Sequence, residues 1–455
     1  MVTCALSRAA CRTRVLRPEF LRLPHICLSR KSLLHIDFSL VVLEMPSAFL
    51  PTSLKASVEL RVYSEKSDYA KGNPVPNVRS QTLIYHGNDS QWWIRVTFRG
   101  DVYSILNQPI ISSKRERRNE FQTFTRLIDY GSLPLLDGTV TELVLDRITG
   151  GQGSKLIIHA NEESTNNPFV KISAKLRWDI QEDPSRVVYP KCDEFPSFQP
   201  VKLDDLSEQR EFADGVFQVL NVKNNTPYIL KIVNRPLYQP HDTEAIRKEL
   251  ENLEIFRNES NIVQAVGIAV STNPYMTSST RDQSLVVMGI LLEYYSGGSL
   301  QTILSEHRLL EFSWEQWALQ IATALARFHK AGKTHMDIKP ANVVIDADGN
   351  AMLIDISGIG GVTNGWRSPE IQDQILPSEL PYEVRRSSDT WTYGKLLLQL
   401  VLHAEDNCLG RALKQIAGDL MIEDMHERMD LFEVILRLER VGSGKIHGTC
   451  KKNLT

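Results

Sequence analysis

The sequence lacks the cysteine spacings that build a metal knot or a disulfide framework. Its six cysteines, Cys4, Cys11, Cys27, Cys192, Cys408 and Cys450, are scattered, with no CxxC pair. That points away from a zinc site or a disulfide scaffold and towards a reducing compartment. No apolar run is long enough to span a bilayer. Nor does one charge dominate. The 455 residues sum to a net charge of −3, so no global field draws the chain to nucleic acid or to an anionic membrane.

What is present is ordinary globular composition, 42% apolar and 24% charged, at a length that fits two or three domains. Residues 1–44 differ from the rest: within residues 1–31, Arg8, Arg12, Arg14, Arg17, Arg22, Arg30 and Lys31 stand against one acid, Glu19. An Arg-rich, acid-poor leader of this kind reads as a mitochondrial presequence, as a disordered segment, or as sequence upstream of a start at Met45. The expected location is cytoplasmic, with the mitochondrion as the alternative.

From residue 45 to 180 the signals are for strands. VELRVYS, QWWIRVTF, TELVLDRI, SKLIIHA and VKISAKLRW alternate polar and apolar residues. They predict a separate, mostly β domain whose one expected use is as a surface for a partner. Two runs here imitate motifs. GGQGSK, Gly150 to Lys155, starts like a phosphate loop but lacks the GKS or GKT ending, so it reads as a turn. KRERR, Lys114 to Arg118, could pass for a nuclear signal but reads as solvated surface.

Residues 181–208 are rich in proline and charge and read as a linker. In the span 209–440 strands come first, in DGVFQVLNVKNNTPYILKIV with a tight turn at NNT. A helix follows in EAIRKELENLEIF, then a buried strand pair in SLVVMGILLEYY. A second helix, SWEQWALQIATALARFHKAG, opens with Ser313 and Gln316 at capping-box spacing and buries Trp317, Ile321, Ala324, Leu325 and Phe328. This order predicts an α+β domain of two unequal lobes. Residues 441–455 read as a disordered tail.

The chemistry gathers in HMDIKPANVVIDADGNAMLID, from His335 to Asp355. Asp337, Lys339 and Asn342 follow the end of a long helix and precede a short strand. DADG then predicts a hairpin, with Asp348 and Gly349 supplying the φ > 0 positions, and the return strand delivers Asp355 to the same cleft. An Asp and an Asn are hard oxygen ligands suited to Mg²⁺. A second Asp can take a proton from an attacking hydroxyl, and a nearby Lys can neutralise a transferring phosphoryl. A calcium-loop reading of DADGN fails because its glycine comes too early.

HMDIKPANVVI resembles the catalytic loop H-R-D-x-K-x-x-N of eukaryotic protein kinases, and LIDISG stands where that family has D-F-G. The resemblance runs from about Glu211 to Leu438 and is nearest to the divergent kinase-like proteins of filamentous fungi. It implies a bilobal protein-kinase fold with a β-rich N-lobe and a helical C-lobe. The expected activity is ATP- and Mg²⁺-dependent transfer to serine or threonine hydroxyls of a protein.

By the same resemblance YILKIV supplies Lys231 for the ATP phosphates and the next helix supplies Glu249 as its partner. LLEYYSGGSL is similar to the adenine hinge, with Leu292 as gatekeeper, the backbones of Glu293 and Tyr295 at the base, and Ser299 and Gly215 as further nucleotide contacts. Asp337 is implied as the catalytic base, Lys339 as the stabiliser of the γ-phosphoryl, and Asn342 and Asp355 as the metal ligands. WRSPEI stands for A-P-E, so Glu370 is implied to pair with Arg428, and Asp389 is implied to anchor the catalytic loop.

The sequence departs from the pattern in four places. Only Gly215 remains of the glycine-rich loop, Met336 replaces the arginine of H-R-D, D-F-G has become Asp355-Ile356-Ser357, and the segment from Asp355 to Glu370 is short. A pseudokinase scaffold therefore stays open as an alternative, and a small-molecule phosphotransferase as a lesser one. Singly, each residue has a structural reading: Lys231 as a strand lysine, Glu249 as one acid among Glu244, Glu251 and Glu254, Tyr294 and Tyr295 as core aromatics, Trp391 as packing, His335 as a structural histidine. Their order along the chain favours the active kinase.

Overall fold

The computed structural model describes residues 57–67, 76–87, 89–109, 113–147, 155–235, 237–278, 284–360, 363–404 and 408–442, all within one compact unit. The leader, the glycines of GGQGSK and the tail beyond 442 lie outside the described residues.

The N-terminal domain comprises β1 (Ser57–Ser67), β2 (Pro76–Gly87), β3 (Ser90–Arg99), α1 (Val102–Leu106), α2 (Lys114–Leu127), β4 (Val140–Arg147), α3 (Pro168–Ile172) and β5 (Leu176–Glu182). Its sheet runs in chain order, antiparallel except for β3 and β4. A parallel pair needs a crossover, and α1 and α2 supply it. Phe121 and Phe124 of α2 and Phe169 of α3 cover one face over Leu83, Ile94, Val96 and Phe98.

Three local readings change. VKISAKLRW begins as a helix, because Asn167 caps it by accepting from the Phe169 N–H at 2.9 Å and Pro168 presets its first turn; the strand starts only at Leu176. SKLIIHA forms isolated bridges, Lys155 to Arg177 and Ile158 to Ile128, and no strand. KRERR is the start of α2, and it is not all solvated. Arg117 is buried and grips Glu65 of β1 through Nη2 at 2.5 Å and Nε at 3.1 Å, while Lys114, Arg115 and Arg118 stay exposed. Strand β2 escapes the sequence pattern because Arg79, Ser80 and Gln81 occupy buried positions, so polar and apolar residues do not alternate there.

The second sheet is six-stranded, in the order β6-β10-β11-β9-β8-β7. It is built from β6 (Pro200–Lys202), β7 (Leu206–Ala213), β8 (Val216–Asn221), β9 (Thr226–Ile232), helix α4 (Pro240–Ile255), β10 (Ala265–Thr272) and β11 (Leu285–Glu293). SLVVMGILLEYY is thus one strand, paired with β10 and β9 rather than with itself.

The segment read as a linker is part of this lobe. Its β6 lies parallel to β10, and the Gln199 carbonyl accepts from the Ile268 N–H at 3.0 Å. Gly267 is required there, since a Cβ would collide with the Gln199 carbonyl. Phe198 is buried in the core beside Leu253, Phe256 and Ile268. Proline and charge hid this segment, because an edge strand of three residues has no periodicity to display.

The helical lobe follows: β12 (Gly298–Ser299), α5 (Leu300–Ser305), α6 (Trp317–Lys330), β13 (Val343–Ile345), β14 (Ala351–Leu353), α7 (Tyr382–His403), α8 (Cys408–Leu420) and α9 (Leu431–Gly442). The stripe Trp317, Ile321, Ala324, Leu325 and Phe328 is buried. The capping box does not form, because Trp314–Gln316 wind into a 3₁₀ turn and neither Ser313 nor Gln316 makes a side-chain cap. At the hairpin only Gly349 takes positive φ, at 83°. Asp346 closes the turn instead, its Oδ1 accepting from the N–H of Asp348 at 2.9 Å and of Asn350 at 2.8 Å. The two-lobed α+β architecture is as expected. No helix among the described residues is long and apolar enough to cross a membrane.

Replacing Phe198 by alanine is expected to lower stability by about 3–5 kcal/mol, as for any core aromatic, whereas a true linker residue would leave the urea midpoint unchanged.

Candidate active site

The loop after α6 is held from below by one carboxylate. Asp389, on α7 and fully buried, accepts from the backbone N–H of His335 and of Met336, each at 2.7 Å, and lies 3.2 Å from His329 Nε2. The His335 ring settles its own tautomer: Nδ1 accepts from the Asp337 N–H at 3.2 Å, so Nε2 carries the proton and donates to the Ile354 carbonyl at 2.9 Å. Met336 takes φ of 66° and Asp355 φ of 61°. Non-glycine residues hold such values only where surrounding contacts over-determine them, and here both flank the reactive cluster.

Above this floor Asp337 is surrounded by donors. Its Oδ2 accepts from Lys339 Nζ at 2.7 Å and Asn342 Nδ2 at 2.9 Å, and its Oδ1 from the Thr363 hydroxyl at 3.0 Å. Lys339 Nζ also donates to Thr363 Oγ1 at 3.0 Å, and Asn342 Nδ2 to the Asp337 carbonyl at 2.8 Å. Thr363 is the residue the sequence did not reveal. It stands alone in GVTNGW, with no charged neighbour and no telling spacing; only the return of the segment over the loop brings it to Asp337.

Lys231 forms the second group. From β9 its Nζ reaches Glu249 Oε2 of α4 at 2.5 Å and Asp355 Oδ1 at 2.6 Å. Burial opposes the lysine charge, but Asp355 and Glu249 outweigh it and raise the pKa above its ordinary value. The Lys231 ammonium, working against burial, lowers the Asp355 carboxyl from 3.8 to about 2. Burial pulls Glu249 upward despite Lys231, and its Oε1 is buried with no partner. The two groups adjoin, since the Ile354 N–H donates to the Asn342 carbonyl at 3.0 Å.

Around them, Leu292 is buried at the end of β11. The Glu293 N–H donates to the Gln264 carbonyl at 3.1 Å, and the Tyr295 hydroxyl donates to Glu293 Oε2 at 3.1 Å. Gly215 sits in a two-residue turn between β7 and β8 with φ of 75°, where a Cβ would meet Arg235 Cβ at 2.6 Å. Ser299 caps α5, its hydroxyl accepting from the Thr302 N–H at 3.2 Å. Farther out, Arg428 pairs bidentately with Glu370 at 2.7 and 2.8 Å.

A family model described as the protein kinase domain matches residues 213–431, just under half of the chain. Among curated proteins, the chain is similar to the serine/threonine-protein kinase SSK22 of Saccharomyces cerevisiae, 28% identical over 183 residues, 36% of this chain and 12% of that protein. It is similar to the serine/threonine-protein kinase ArnS of Sulfolobus acidocaldarius, 24% identical over 284 residues, 55% of this chain and 46% of that protein. It is also similar to the CBL-interacting serine/threonine-protein kinase 3 of Arabidopsis thaliana, 28% identical over 227 residues, 46% of this chain and 48% of that protein. The chain spans less than half the length of each of these relatives.

A carboxyl whose folded pKa is depressed contributes stability above its unfolded pKa and loses it as pH falls through the folded value. For Asp355 the window runs from 3.8 down to about 2. Its side chain is 41% exposed, so solvent screening keeps the contribution on the order of 1 kcal/mol. Urea midpoints between pH 5 and pH 2 are expected to fall more steeply in wild type than in Asp355→Asn.

Proposed function

We propose that residues 213–431, a domain of the eukaryotic protein kinase superfamily, transfer the γ-phosphoryl of ATP to serine or threonine hydroxyls of a protein. The observation that carries this reading is the Asp337 carboxylate, met on both oxygens by Lys339, Asn342 and Thr363. A carboxylate held this way has one orientation, and a substrate hydroxyl that approaches it is aligned and can give up its proton there. Lys339 carries its positive charge beside that base, where the transferring phosphoryl would pass. Lys231, braced by Glu249, would hold the α- and β-phosphates. Gly215 would let the β7–β8 turn approach them, Leu292 with the backbones of Glu293 and Tyr295 would receive adenine, and Ser299 would be a further nucleotide contact.

The donors suited to Mg²⁺ are the Asn342 amide oxygen and the Asp355 carboxylate. The Asn342 nitrogen is spent on Asp337, which turns the amide oxygen the other way. Among the described residues no set of three His, Cys, Asp or Glu forms a metal cage of its own. Mg²⁺ at substrate phosphates needs only one or two protein ligands, with phosphate and water completing the shell. Bound with ATP, it supplies charge neutralisation at the phosphates.

One observation favours the second reading, a pseudokinase. The β7–β8 turn is only Asp214-Gly215, so few backbone amides are offered to phosphates. A cytoplasmic location and a partner docked through the N-terminal sheet belong to either reading.

Asp337→Asn is expected to lower radiolabelled phosphoryl transfer about 10²–10⁴-fold while Mg-ATP still raises the melting temperature. If wild type and variant label every substrate equally poorly while nucleotide still binds, the pseudokinase reading replaces the enzyme.

A further inference from the structure

We propose that residues 183–198 are a built-in brace for α4, and that Tyr238 and Thr243 are positioning residues that hold Glu249 against Lys231. The inference rests on the kinase reading for its consequence, though not for its geometry.

Helix α4 needs a hold of its own. Glu249 is 1% exposed, yet only one of its oxygens has a partner. Burying a carboxylate that is half satisfied is costly, so Glu249 does not by itself secure the inward position of its helix. The catalytic loop offers no alternative lever. Met336 is buried where the family carries an arginine, so no cation at that position can receive an activating phosphate.

The hold comes from the segment leaving the N-terminal domain. The Val188 N–H donates to the Tyr238 hydroxyl at 3.0 Å, and Thr243 Oγ1 donates to the Val188 carbonyl at 2.6 Å. The Thr243 hydroxyl has one proton, and the Val188 carbonyl takes it. The 2.7 Å contact between Tyr238 and Thr243 is therefore a bond that Tyr238 donates. The three groups close a ring in which every donor is used, and it clamps one backbone unit onto the first turn of α4.

Further contacts run along the helix. Arg247 pairs with Glu194. Just past the helix, Arg257 donates to the Ser197 carbonyl at 2.9 Å and lies over the Phe198 ring. From the other side, the Tyr275 hydroxyl accepts from the Val187 N–H at 3.3 Å, and the Pro190 carbonyl accepts from Val287 at 2.8 Å.

The far end of the brace is tied into the N-terminal domain, where the Asp183 N–H donates to the Val140 carbonyl at 2.8 Å. That domain is itself docked on the β10–β11 connection. The Gln91 N–H donates to the Thr277 carbonyl at 2.9 Å, the Gly138 N–H to Thr277 Oγ1 at 2.8 Å, and Asn273 Nδ2 to the Gly138 carbonyl at 2.8 Å. The ring of Trp93 meets that of Tyr275 edge-on at 5.5 Å. The N-terminal domain thus acts in cis on the Lys231–Glu249 pair. By linkage, whatever draws the brace away from α4 also weakens nucleotide binding.

The test uses the full chain with two readouts: hydrogen exchange of residues 240–255 and the KM for ATP. Thr243→Val and Tyr238→Phe keep the shape and remove the clamp. Each is expected to speed α4 exchange and to raise KM about 3- to 10-fold. Thr243→Ser keeps the hydroxyl and is expected to behave as wild type. So is Thr390→Val, which deletes a similarly buried hydroxyl on α7. Exchange in α4 that stays at the wild-type rate in both clamp variants overturns the proposal, as does faster exchange with unchanged KM. If wild type transfers no phosphoryl group, the exchange data still decide the brace, and only the catalytic reading falls.

Discussion

The Lys231 ammonium, set between two carboxylates at 2.5 and 2.6 Å, ties three elements together at one point. The lysine comes from β9, Glu249 from α4 and Asp355 from the loop after β14. Lys231 and Glu249 are withdrawn from water, and a buried charge is tolerated only where it is paired. Each of the three elements is therefore confined by the other two. The net charge of the group is negative, and its one partly open member is Asp355, the side facing the cleft.

The second constraint is hydrogen-bond satisfaction beneath the loop that follows α6. Two adjacent N–H groups, of His335 and Met336, point into the core, and a buried donor left unpaired costs about 1–3 kcal/mol. Asp389 takes both, and in doing so fixes Met336 in left-handed backbone. That twist turns Asp337 outward to its three donors. A stable floor and a strained loop are thus one arrangement: the strain at Met336 persists because the carboxylate below it over-determines the backbone.

The N-terminal domain shares in this economy. Its sheet docks on the same lobe edge that its connecting segment then wraps, so α4 is gripped from outside as well as through Glu249. Gly267 belongs to that arrangement, since without a bare backbone at that position β6 could not lie against β10.

Much of the cluster was legible in one dimension because its polar side chains sit at short intervals along one loop and one hairpin. Asp337, Lys339, Asn342 and Asp355 lie within twenty residues, and a short hairpin brings its two ends together whatever else the chain does. The amphipathic α4 and α6 were legible for the same local reason, a period of 3.6. Thr363, the brace at Val188 and strand β6 were not, because each takes its meaning from a partner distant in sequence: Asp337, Thr243 and β10. The sequence determined which chemical groups exist and how they are spaced. Only the tertiary structure decided which buried donor meets which acceptor, because pairing a polar group inside a protein is a property of the space around it, and local sequence carries no record of that space.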